Sequence, residues 1–337
     1  MSTKGFRRLI NEVTKYILEN SDRNYILIGE NTSGKSELLS SAMKELKKDS
    51  NNIFYFIDSV NRTFHLKDIG YSGERKEFNY IEIRNQRMDN NQFNKLDTFG
   101  MGKIESIYWM HEIELKELIK EFFNLNIDIK EYNQEGFLVS QKAKLEIKKN
   151  GRSLQGKGDE ELNLPNGMQA VLRIFLELLF FKSNLHTDEQ QKKAIIFIEE
   201  LDLYLSENYS SRILNFLEKK FPEFLFVIST HSRELTLSAE TATVIAINGT
   251  NKKIVNNGEN YQLDVDELFT DIFHTEEIYM HSNEDELDRK LRILLNRKIS
   301  ESWEDRDQKI FEEMLKAKLL PHQKFLMDEI ERWTNGQ

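Results

Sequence analysis

The feature that most constrains the fold is one short stretch, ILIGENTSGKSELL, which runs from Ile26 to Leu39. It begins in an apolar run typical of a buried strand and ends in apolar residues at helical spacing. Between the two, Gly29 to Ser36 match the pattern G-x-x-x-x-G-K-[ST] at every fixed position. A chance match is expected in about one chain in a hundred. The stretch therefore predicts a strand, a phosphate-binding loop and a helix, in that order.

The spacing of this loop has a physical reason. Glycines let the backbone curl so that its N–H groups converge on phosphate oxygens, and the helix that follows adds its positive end. Lys35 is expected to reach the β- and γ-phosphates of ATP, and the Ser36 hydroxyl is expected to bind Mg²⁺. We therefore expect all eight residues of the loop to contact the nucleotide: Gly29, Glu30, Asn31, Thr32, Ser33, Gly34, Lys35 and Ser36.

Composition narrows the class of protein. The chain has 337 residues, which suits one large domain or two ordinary ones. It has no cysteine, which excludes disulfides, thiolate metal sites and cysteine nucleophiles. No apolar run approaches the about 20 residues that cross a bilayer, and the N-terminus lacks the apolar core of a signal peptide. We expect a cytoplasmic protein with no membrane partner, and its net charge of −10 argues against non-specific binding of nucleic acid.

Apolar runs and helical spacing alternate along most of the chain, which predicts an α/β fold with a mostly parallel sheet flanked by helices. In a predicted buried helix, Met168 to Phe181, the polar residues Gln169, Arg173 and Glu177 form one stripe, which indicates that this face meets something polar. From about Asn61 to Glu160 the pattern is less regular. A helix is predicted over Gly5–Glu19, and strands over Tyr25–Ile28, Asn52–Val60, Ala194–Ile198, Phe224–Ser229 and 243–247.

A second motif, AIIFIEELDLYL, places carboxylates directly after a buried strand. Ligands of open α/β sheets bind at that end of the strands. Glu199 is predicted to hold Mg²⁺ directly or through water, and Glu200 to orient or deprotonate the water that attacks ATP. The alternative is a solvated junction between a strand and a helix, where adjacent acids are common.

A third buried run, FLFVISTHSREL, reaches a histidine, His231, just after its apolar part. If this strand neighbours the acidic one, His231 lies beside the γ-phosphate and is expected to bind it or the attacking water. The alternative is a structural or merely exposed histidine. The other six histidines show no ligand spacing and receive no role: His65, His111, His186, His274, His281 and His322.

In this order, the three motifs resemble the P-loop NTPase heads of ABC type, of the SMC/Rad50 kind. They resemble more closely the short bacterial AAA-family ATPases of anti-phage defence systems such as Septu, retron-associated and PARIS-like assemblies. GENTSGKS is similar to the family loop GENGSGKS, IEELDLYLSE to IDEIDLHLHP, and STHS to TTHS. LPNGMQ is a loose match to the signature LSxGEQ that precedes a buried helix. The resemblance covers about residues 24–64 and 162–273.

The resemblance implies an ATPase that uses ATP and Mg²⁺ and works as a homodimer or higher homo-oligomer. In the family, two heads sandwich two nucleotides, so Asn166, Gly167 and Met168 would cap the γ-phosphate held by the other copy. Asp202 matches the second Asp of the acidic motif, which helps communication between subunits. Gln86, which lies in no clear motif, is the candidate for the glutamine that senses the γ-phosphate.

The chain departs from the family pattern at two places. Glu199 stands where the family has Asp, and its side chain is one methylene longer. The His-Pro run after the acids is replaced at Ser206 and Glu207. Either change could slow hydrolysis, whereas the loop lysine and serine, Glu200 and His231 all match.

The expected organisation is an ATPase core from residues 1–64 and 160–270, an inserted lid from 65–159 and a helical tail from 271–337. A predicted hairpin in the insertion, Gln141–Lys157, is a basic lobe on an acidic chain: Lys142, Lys144, Lys148, Lys149, Arg152 and Lys157. It indicates a nucleic-acid contact. A solvated hairpin or a dock for an acidic partner is the alternative, because no aromatic residues interleave for stacking.

Three function hypotheses remain open at this point. In the first, ATP-dependent dimerisation or oligomerisation controls a separate effector chain, a nuclease or toxin, in anti-phage defence, or serves an SMC/Rad50-like DNA-maintenance complex. In the second, the chain is a nonhydrolytic scaffold or sensor that keeps ATP bound, which Glu199 in place of Asp motivates. In the third, it is an AAA+ remodeller, which would need an arginine finger in the tail.

Overall fold

The structure is a computed structural model that describes residues 3–20, 22–49, 52–60, 62, 64, 77–89, 93, 101–131, 143–149, 152–153, 164–185, 194–239, 241–248, 251–256, 258, 261–273, 291, 294–295, 298, 303, 305–315 and 321–334. The chain forms two compact units, Met1–Ile272 and Phe273–Gln337.

The first unit contains both strands and helices, and the described elements of the second unit are helices. The strands are β1 (Tyr25–Ile28), β2 (Phe54–Ile57), β3 (Asn126–Glu131), β4 (Ala143–Lys149), β5 (Arg152–Ser153), β6 (Ala194–Ile198), β7 (Phe224–Ser229), β8 (Thr243–Asn248) and β9 (Asn251–Val255). The helices are α1 (Thr3–Glu19), α2 (Lys35–Leu46), α3 (Tyr80–Met88), α4 (Met101–Phe123), α5 (Asn166–Ser183), α6 (Glu207–Lys220), α7 (Arg233–Ser238), α8 (Tyr261–Phe273), α9 (Asp305–Met314) and α10 (Pro321–Thr334).

A six-stranded sheet with the order β2-β6-β7-β1-β8-β9 forms the centre of the first unit. Its first five strands pair in parallel, and β9 runs antiparallel to β8. Strands β1, β2, β6 and β7 are buried along their whole length, as expected for parallel strands covered on both faces. The predicted α/β fold with a mostly parallel sheet is confirmed. The carboxyl ends of its parallel strands share one edge, where ligands of such sheets bind.

Strand β7 lies between the other two strands that carry motifs. Its residue Ile228 pairs with Ile26 of β1 on one side and with Ile198 of β6 on the other. The strand that leads to His231 therefore neighbours both the strand before the phosphate loop and the acidic strand. This is the arrangement on which the prediction for His231 depends.

The region that looked less regular in the sequence, from about Asn61 to Glu160, contains α3 and α4. Helix α4 spans 23 residues, with a local break at His111. Its buried apolar residues recur at helical intervals: Ile104, Ile107, Tyr108, Leu115, Leu118, Ile119 and Phe122. The helical period is present in this part of the less regular region, and the chain forms a long helix there. Strand β9 was also missed, because all but its last residue are polar or partly exposed.

A buried charge network holds α3 against the sheet and α5. Arg87 Nη1 lies 2.6 Å from Glu177 Oε2, and Arg173 Nε lies 3.0 Å from Glu177 Oε1. Arg87 Nε also lies 3.4 Å from Asp58 Oδ2, next to the end of β2. The hydroxyl of Tyr55 donates to Glu177 Oε2 at 3.1 Å. The polar stripe predicted on α5 therefore does meet polar partners, and they lie in the interior of the protein.

A second, three-stranded antiparallel sheet has the order β3-β4-β5. Lys149 pairs with Arg152, so β4 and β5 form the predicted hairpin around the Asn150-Gly151 dipeptide. The basic side chains of Gln141–Lys157 lie outside the described residues, so the predicted nucleic-acid contact stays a prediction.

The second unit has a small core of its own, in which Trp303 packs edge-to-face on Phe311 with ring centres 5.9 Å apart. The buried members are Leu291, Leu294, Phe311, Met314, Met327 and Ile330.

Candidate functional site

An open cleft of about 330 Å³ lies at the carboxyl edge of the main sheet. The phosphate loop, the acidic strand end and the tip of β7 all contribute to it. Its lining residues are Phe6, Asn31, Thr32, Ser33, Gly34, Lys35, Ser36, Glu37, Glu199, Glu200 and Ser229. The structure thus brings six of the eight predicted loop residues together with both predicted acids. Gly29 and Glu30 stand at the start of the loop, outside this lining.

Glycine is required at two positions of the loop. A Cβ on Gly29 would lie 2.5 Å from the carbonyl oxygen of Ile247, in the neighbouring strand. Gly34 has φ of 102°, and a Cβ there would lie 2.3 Å from the ring of Phe6 in α1. Helix α1 therefore packs directly on the phosphate loop, and there is room for it because Gly34 has no side chain.

Lys35 is held at the base of the cleft. Its ammonium group donates to the carbonyl oxygens of Gly29 at 2.7 Å and of Glu30 at 3.0 Å. Burial lowers the pKa of Lys35, and the nearby charges of Glu200, Glu199 and Asp202 act in the opposite direction. The lysine is thus a buried cation that already bridges the turn of the loop where phosphates are expected to bind.

Ser36 and Glu199 meet across the cleft, where the Ser36 hydroxyl donates to Glu199 Oε1. The other carboxylate oxygen, Oε2, accepts from the hydroxyl of Ser59 at 3.1 Å, and the backbone oxygen of Glu199 accepts from Arg62 Nη2 at 2.6 Å. A hydroxyl and a carboxylate are the hard oxygen ligands that Mg²⁺ prefers. Ser36 and Glu199, adjacent beside the loop, would hold a magnesium ion.

The loop also has spare hydrogen-bonding capacity. The hydroxyl of Ser33 is buried and has no hydrogen-bond partner among the residues that the structure describes. Buried polar atoms are normally paired, so a bound oxyanion would complete this position. This supports the fit of a phosphate group to the loop.

Glu200 points into the cleft from a strained backbone position, with φ of 48°. Its N–H donates to the hydroxyl of Ser229 at 3.0 Å, which fixes the turn after β6 to the tip of β7. Burial raises the pKa of the Glu200 carboxyl, and repulsion from Glu199 and Asp202 raises it further. A carboxylate with a raised pKa is a stronger proton acceptor, which suits a general base.

His231 approaches this carboxylate from β7, with Nε2 4.0 Å from Glu200 Oε1. Burial lowers the pKa of His231, and the charge of Lys35 lowers it further. The imidazole is therefore neutral at pH 7, with one nitrogen able to donate and the other able to accept. The condition for its predicted role, proximity to the acidic strand end, is met.

Asp202 lies outside the cleft lining and ties two loops of the same chain together. The hydroxyl of Thr230 donates to its carboxylate, and the same hydroxyl accepts from the N–H of Ser232 at 2.8 Å. Burial raises the pKa of Asp202. These contacts connect the turn after β6 to the turn that carries His231.

The signature-like residues stand apart from the cleft lining of their own chain. Asn166 is exposed at the start of α5, and Met168 is buried beneath it. Between them, a Cβ on Gly167 would lie 2.6 Å from the backbone oxygen of Tyr204. Gln86, on α3, is exposed and also stands outside the lining.

Sequence reasoning missed several residues of this site. Ser59 follows β2 and Ser229 ends β7 at the same edge of the sheet, so the rule that located Glu199 would have found them. Arg62 follows β2 in an irregular segment and carried no signal. Phe6 reaches the cleft only because α1 packs across the loop, which no local pattern shows.

No protein-family model matches the chain, and no curated protein matches its sequence. Among solved structures, it is similar to an SMC head bound to the C-terminal winged-helix domain of ScpA, with 14% identity, 72% of this chain and 92% of that one covered, and a TM-score of 0.36. A structure from work on ATP-driven dimerisation of SMC ATPases shares 14% identity over 50% of this chain and 92% of that one, with a TM-score of 0.31. A metal-chelate type ABC transporter shares 12% identity, with 75% of this chain and 78% of that one covered, and a TM-score of 0.34. These likenesses are distant, and no residue receives a role from them.

None of the helices in the described part of the chain is both long and apolar enough to span a membrane.

Proposed function

We propose that the chain binds and hydrolyses ATP. The observation that carries this proposal is the convergence in one cleft of the loop lysine Lys35, the Ser36–Glu199 pair and Glu200. Each group would serve a different step of ATP hydrolysis: phosphate binding, cation binding and activation of water.

In this mechanism, the loop holds the phosphates and Lys35 offsets the negative charge of the β- and γ-phosphates. Ser36 and Glu199 would hold Mg²⁺, which offsets charge on the oxygens of the transferred phosphoryl group. Glu200 accepts the proton of the attacking water, helped by its raised pKa. The neutral imidazole of His231 orients that water or donates to the γ-phosphate.

The proposal includes pairing of two copies across the nucleotide. It is supported by the resemblance of LPNGMQ to a signature and by the exposure of Asn166 at the start of α5. In this arrangement Asn166, Gly167 and Met168 of one copy contact the γ-phosphate held by the other. A homodimer is the smallest assembly that completes both sites.

We also propose that the ATP cycle controls a separate effector chain, a nuclease or toxin, in bacterial anti-phage defence. The resemblance of the three motifs to such ATPases supports this role. The Gln141–Lys157 hairpin would be the contact for nucleic acid, on the strength of its basic sequence. An adjacent gene for a nuclease or toxin would support the defence role, whereas an adjacent membrane-spanning subunit would oppose it.

The test of the ATPase proposal is a comparison of ATP binding and phosphate release between the wild-type chain and Lys35→Ala. We expect the variant to bind ATP weakly and to lose about 100-fold or more in turnover, since it lacks the charge that stabilises the transferred phosphoryl group. Lys47→Ala, at an exposed lysine just beyond α2, is the matched control and should behave as wild type. Wild-type turnover by Lys35→Ala would contradict the proposal. Tight binding without turnover by the wild-type chain would favour the nonhydrolytic scaffold instead.

A further inference from the structure

Glu199 is held from three sides by groups that each contact a different atom. Ser36 donates to Oε1, Ser59 donates to Oε2 at 3.1 Å, and Arg62 donates to the backbone oxygen at 2.6 Å. Glu199 as a whole is almost fully buried, at 4% exposure. Ser59 follows β2, which is the neighbour of β6 on the side away from β7. The segment after β2, which carries neither the phosphate loop nor the histidine motif, therefore also holds the end of the acidic strand. These three contacts to Glu199, from Ser36, Ser59 and Arg62, are called the clamp below.

The clamp matters because of the length of the side chain. A glutamate has one more rotatable bond than an aspartate, so its carboxylate occupies more positions unless something holds it. Partners that hydrogen-bond a ligand carboxylate orient it toward the metal, and removing one typically costs 10- to 100-fold in metal affinity. With Oε2 engaged by Ser59, Oε1 is the oxygen left facing Ser36 and the cleft.

Arg62 fixes the other end of the same residue. Arg62 is 1% exposed, and its guanidinium contacts the backbone oxygen of Glu199. Burial lowers the pKa of Arg62, and the charges of Asp58 and Glu177 oppose part of that effect. The backbone at the end of β6 is thus held in place independently of the side chain. The side chain is held separately, and Ser59 is the donor that contacts Oε2 of its carboxylate.

We propose that Ser59 is a positioning residue for the magnesium site, which holds Oε2 of Glu199 so that this longer carboxylate presents Oε1 to the ion. It acts through Glu199, as the donor of a hydrogen bond to it. The proposal rests on the proposed function in one respect, namely that Mg²⁺ and a nucleotide bind in this cleft. It goes beyond that function by explaining how a glutamate serves where an aspartate would be expected.

The test measures the affinity for ATP in EDTA and then at increasing Mg²⁺ concentrations. The quantity compared between variants is the Mg²⁺ concentration at which half of the increase in ATP affinity is reached. Ser59→Ala should raise that Mg²⁺ concentration about 10-fold and leave the affinity in EDTA unchanged. Ser59→Thr keeps the hydroxyl and should stay close to wild type. Ser238→Ala removes a hydroxyl that donates to Leu235 O within α7, so it is the matched control. Thermal unfolding of each variant without ligand shows that the fold is intact.

A second pair of variants isolates the contact itself. The carboxylate of Glu199→Asp is too short to reach Ser59, so adding Ser59→Ala to Glu199→Asp should change the Mg²⁺ requirement by less than about two-fold. Equal effects of Ser59→Ala in both backgrounds, or a wild-type Mg²⁺ requirement in Ser59→Ala, would overturn the proposal. If the wild-type chain binds no ATP with or without Mg²⁺, the proposed function fails, and this inference fails with it.

Discussion

At the scale of single residues, the properties of Glu200 are set by its neighbours. It has a left-handed backbone conformation, its N–H is bonded to Ser229, and its carboxylate lies beside Glu199. Burial is the main cause that raises its pKa, followed by the charges of Glu199 and Asp202. A base must be deprotonated to act, so hydrolysis should be lost as the pH falls through this raised pKa.

This environment makes a prediction about the pH dependence of kcat/KM for ATP hydrolysis. Asp202→Asn removes one of the charges that raise the pKa of Glu200, so the acid limb of the profile should move to lower pH. Asparagine keeps an oxygen that can accept from Thr230, so the turn is preserved. Asp264→Asn, on α8, is the control and should leave the limb in place. An acid limb that is unchanged or moves to higher pH in Asp202→Asn would show that Glu200 is not the titrating base.

Gly167 gives a second prediction at this scale. Alanine favours helices over glycine by about 1 kcal/mol, but here its Cβ would lie 2.6 Å from the backbone oxygen of Tyr204. Overpacking against backbone typically costs about 1–3 kcal/mol, so Gly167→Ala should lower the free energy of unfolding measured in denaturant. Gly258→Ala, where no atom of the described residues lies within 4 Å of the added Cβ, should not. Equal stability of the two variants would mean that α5 can shift away from the turn at no cost.

Site residues that belong to a local sequence motif could be predicted from the sequence. Site residues that reach the cleft only through tertiary packing could not. Lys35, Ser36 and Glu199 follow from a loop pattern and from the end of an apolar strand. Phe6 contacts the loop across a helix–helix contact, and Arg62 reaches Glu199 from a segment without periodicity. Contacts of this kind depend on how distant elements pack, so no local pattern contains them.

At the scale of elements, α3 shows how a polar helix is attached to an apolar sheet. Its sequence, YIEIRNQRM, has few apolar residues, which is why periodicity did not reveal it. The attachment comes from Arg87, whose guanidinium is 1% exposed and is shared by Glu177 and Asp58. The buried ion pairs of Arg87 therefore stabilise the packing of α3, which its few apolar residues alone would not.

Removing this arginine should be strongly destabilising. Arg87→Met leaves Glu177 and Asp58 buried with part of their compensation gone, which typically costs about 3–5 kcal/mol. Urea unfolding followed by circular dichroism measures the effect. Arg8→Met, which breaks an exposed pair with Glu12 on α1, is the matched control and should leave the unfolding midpoint in place. Similar midpoints for both variants would contradict a stabilising role of the network.

At the scale of the whole molecule, the order of strands could not be predicted from the sequence. Parallel strands pair across long separations: β1 lies between β7 and β8, which are about 200 residues further along the chain. The alternation of apolar runs and helices predicted the α/β class and a parallel sheet. The pairing of β7 with the acidic strand β6 was the condition of the prediction for His231, and only the folded chain supplies it.

Pairing of two copies is the prediction that belongs to this scale. Glu200→Gln should slow hydrolysis and keep ATP between the two copies, so light scattering with ATP and Mg²⁺ should give twice the mass of the single chain. Lys35→Ala combined with Glu200→Gln cannot hold the nucleotide and should stay at the mass of the single chain. A Glu200→Gln protein that remains a monomer at saturating ATP would rule out pairing through the nucleotide.

The central claim is that this cleft hydrolyses ATP with Glu200 as the base, and a single-turnover experiment tests it most directly. Protein in excess is mixed with radiolabelled ATP and Mg²⁺, and the bound nucleotide is separated and identified over time. The wild-type chain should convert its bound ATP to ADP, whereas Glu200→Gln should bind as much ATP and keep it as ATP. Conversion of bound ATP by Glu200→Gln at the wild-type rate would contradict the claim.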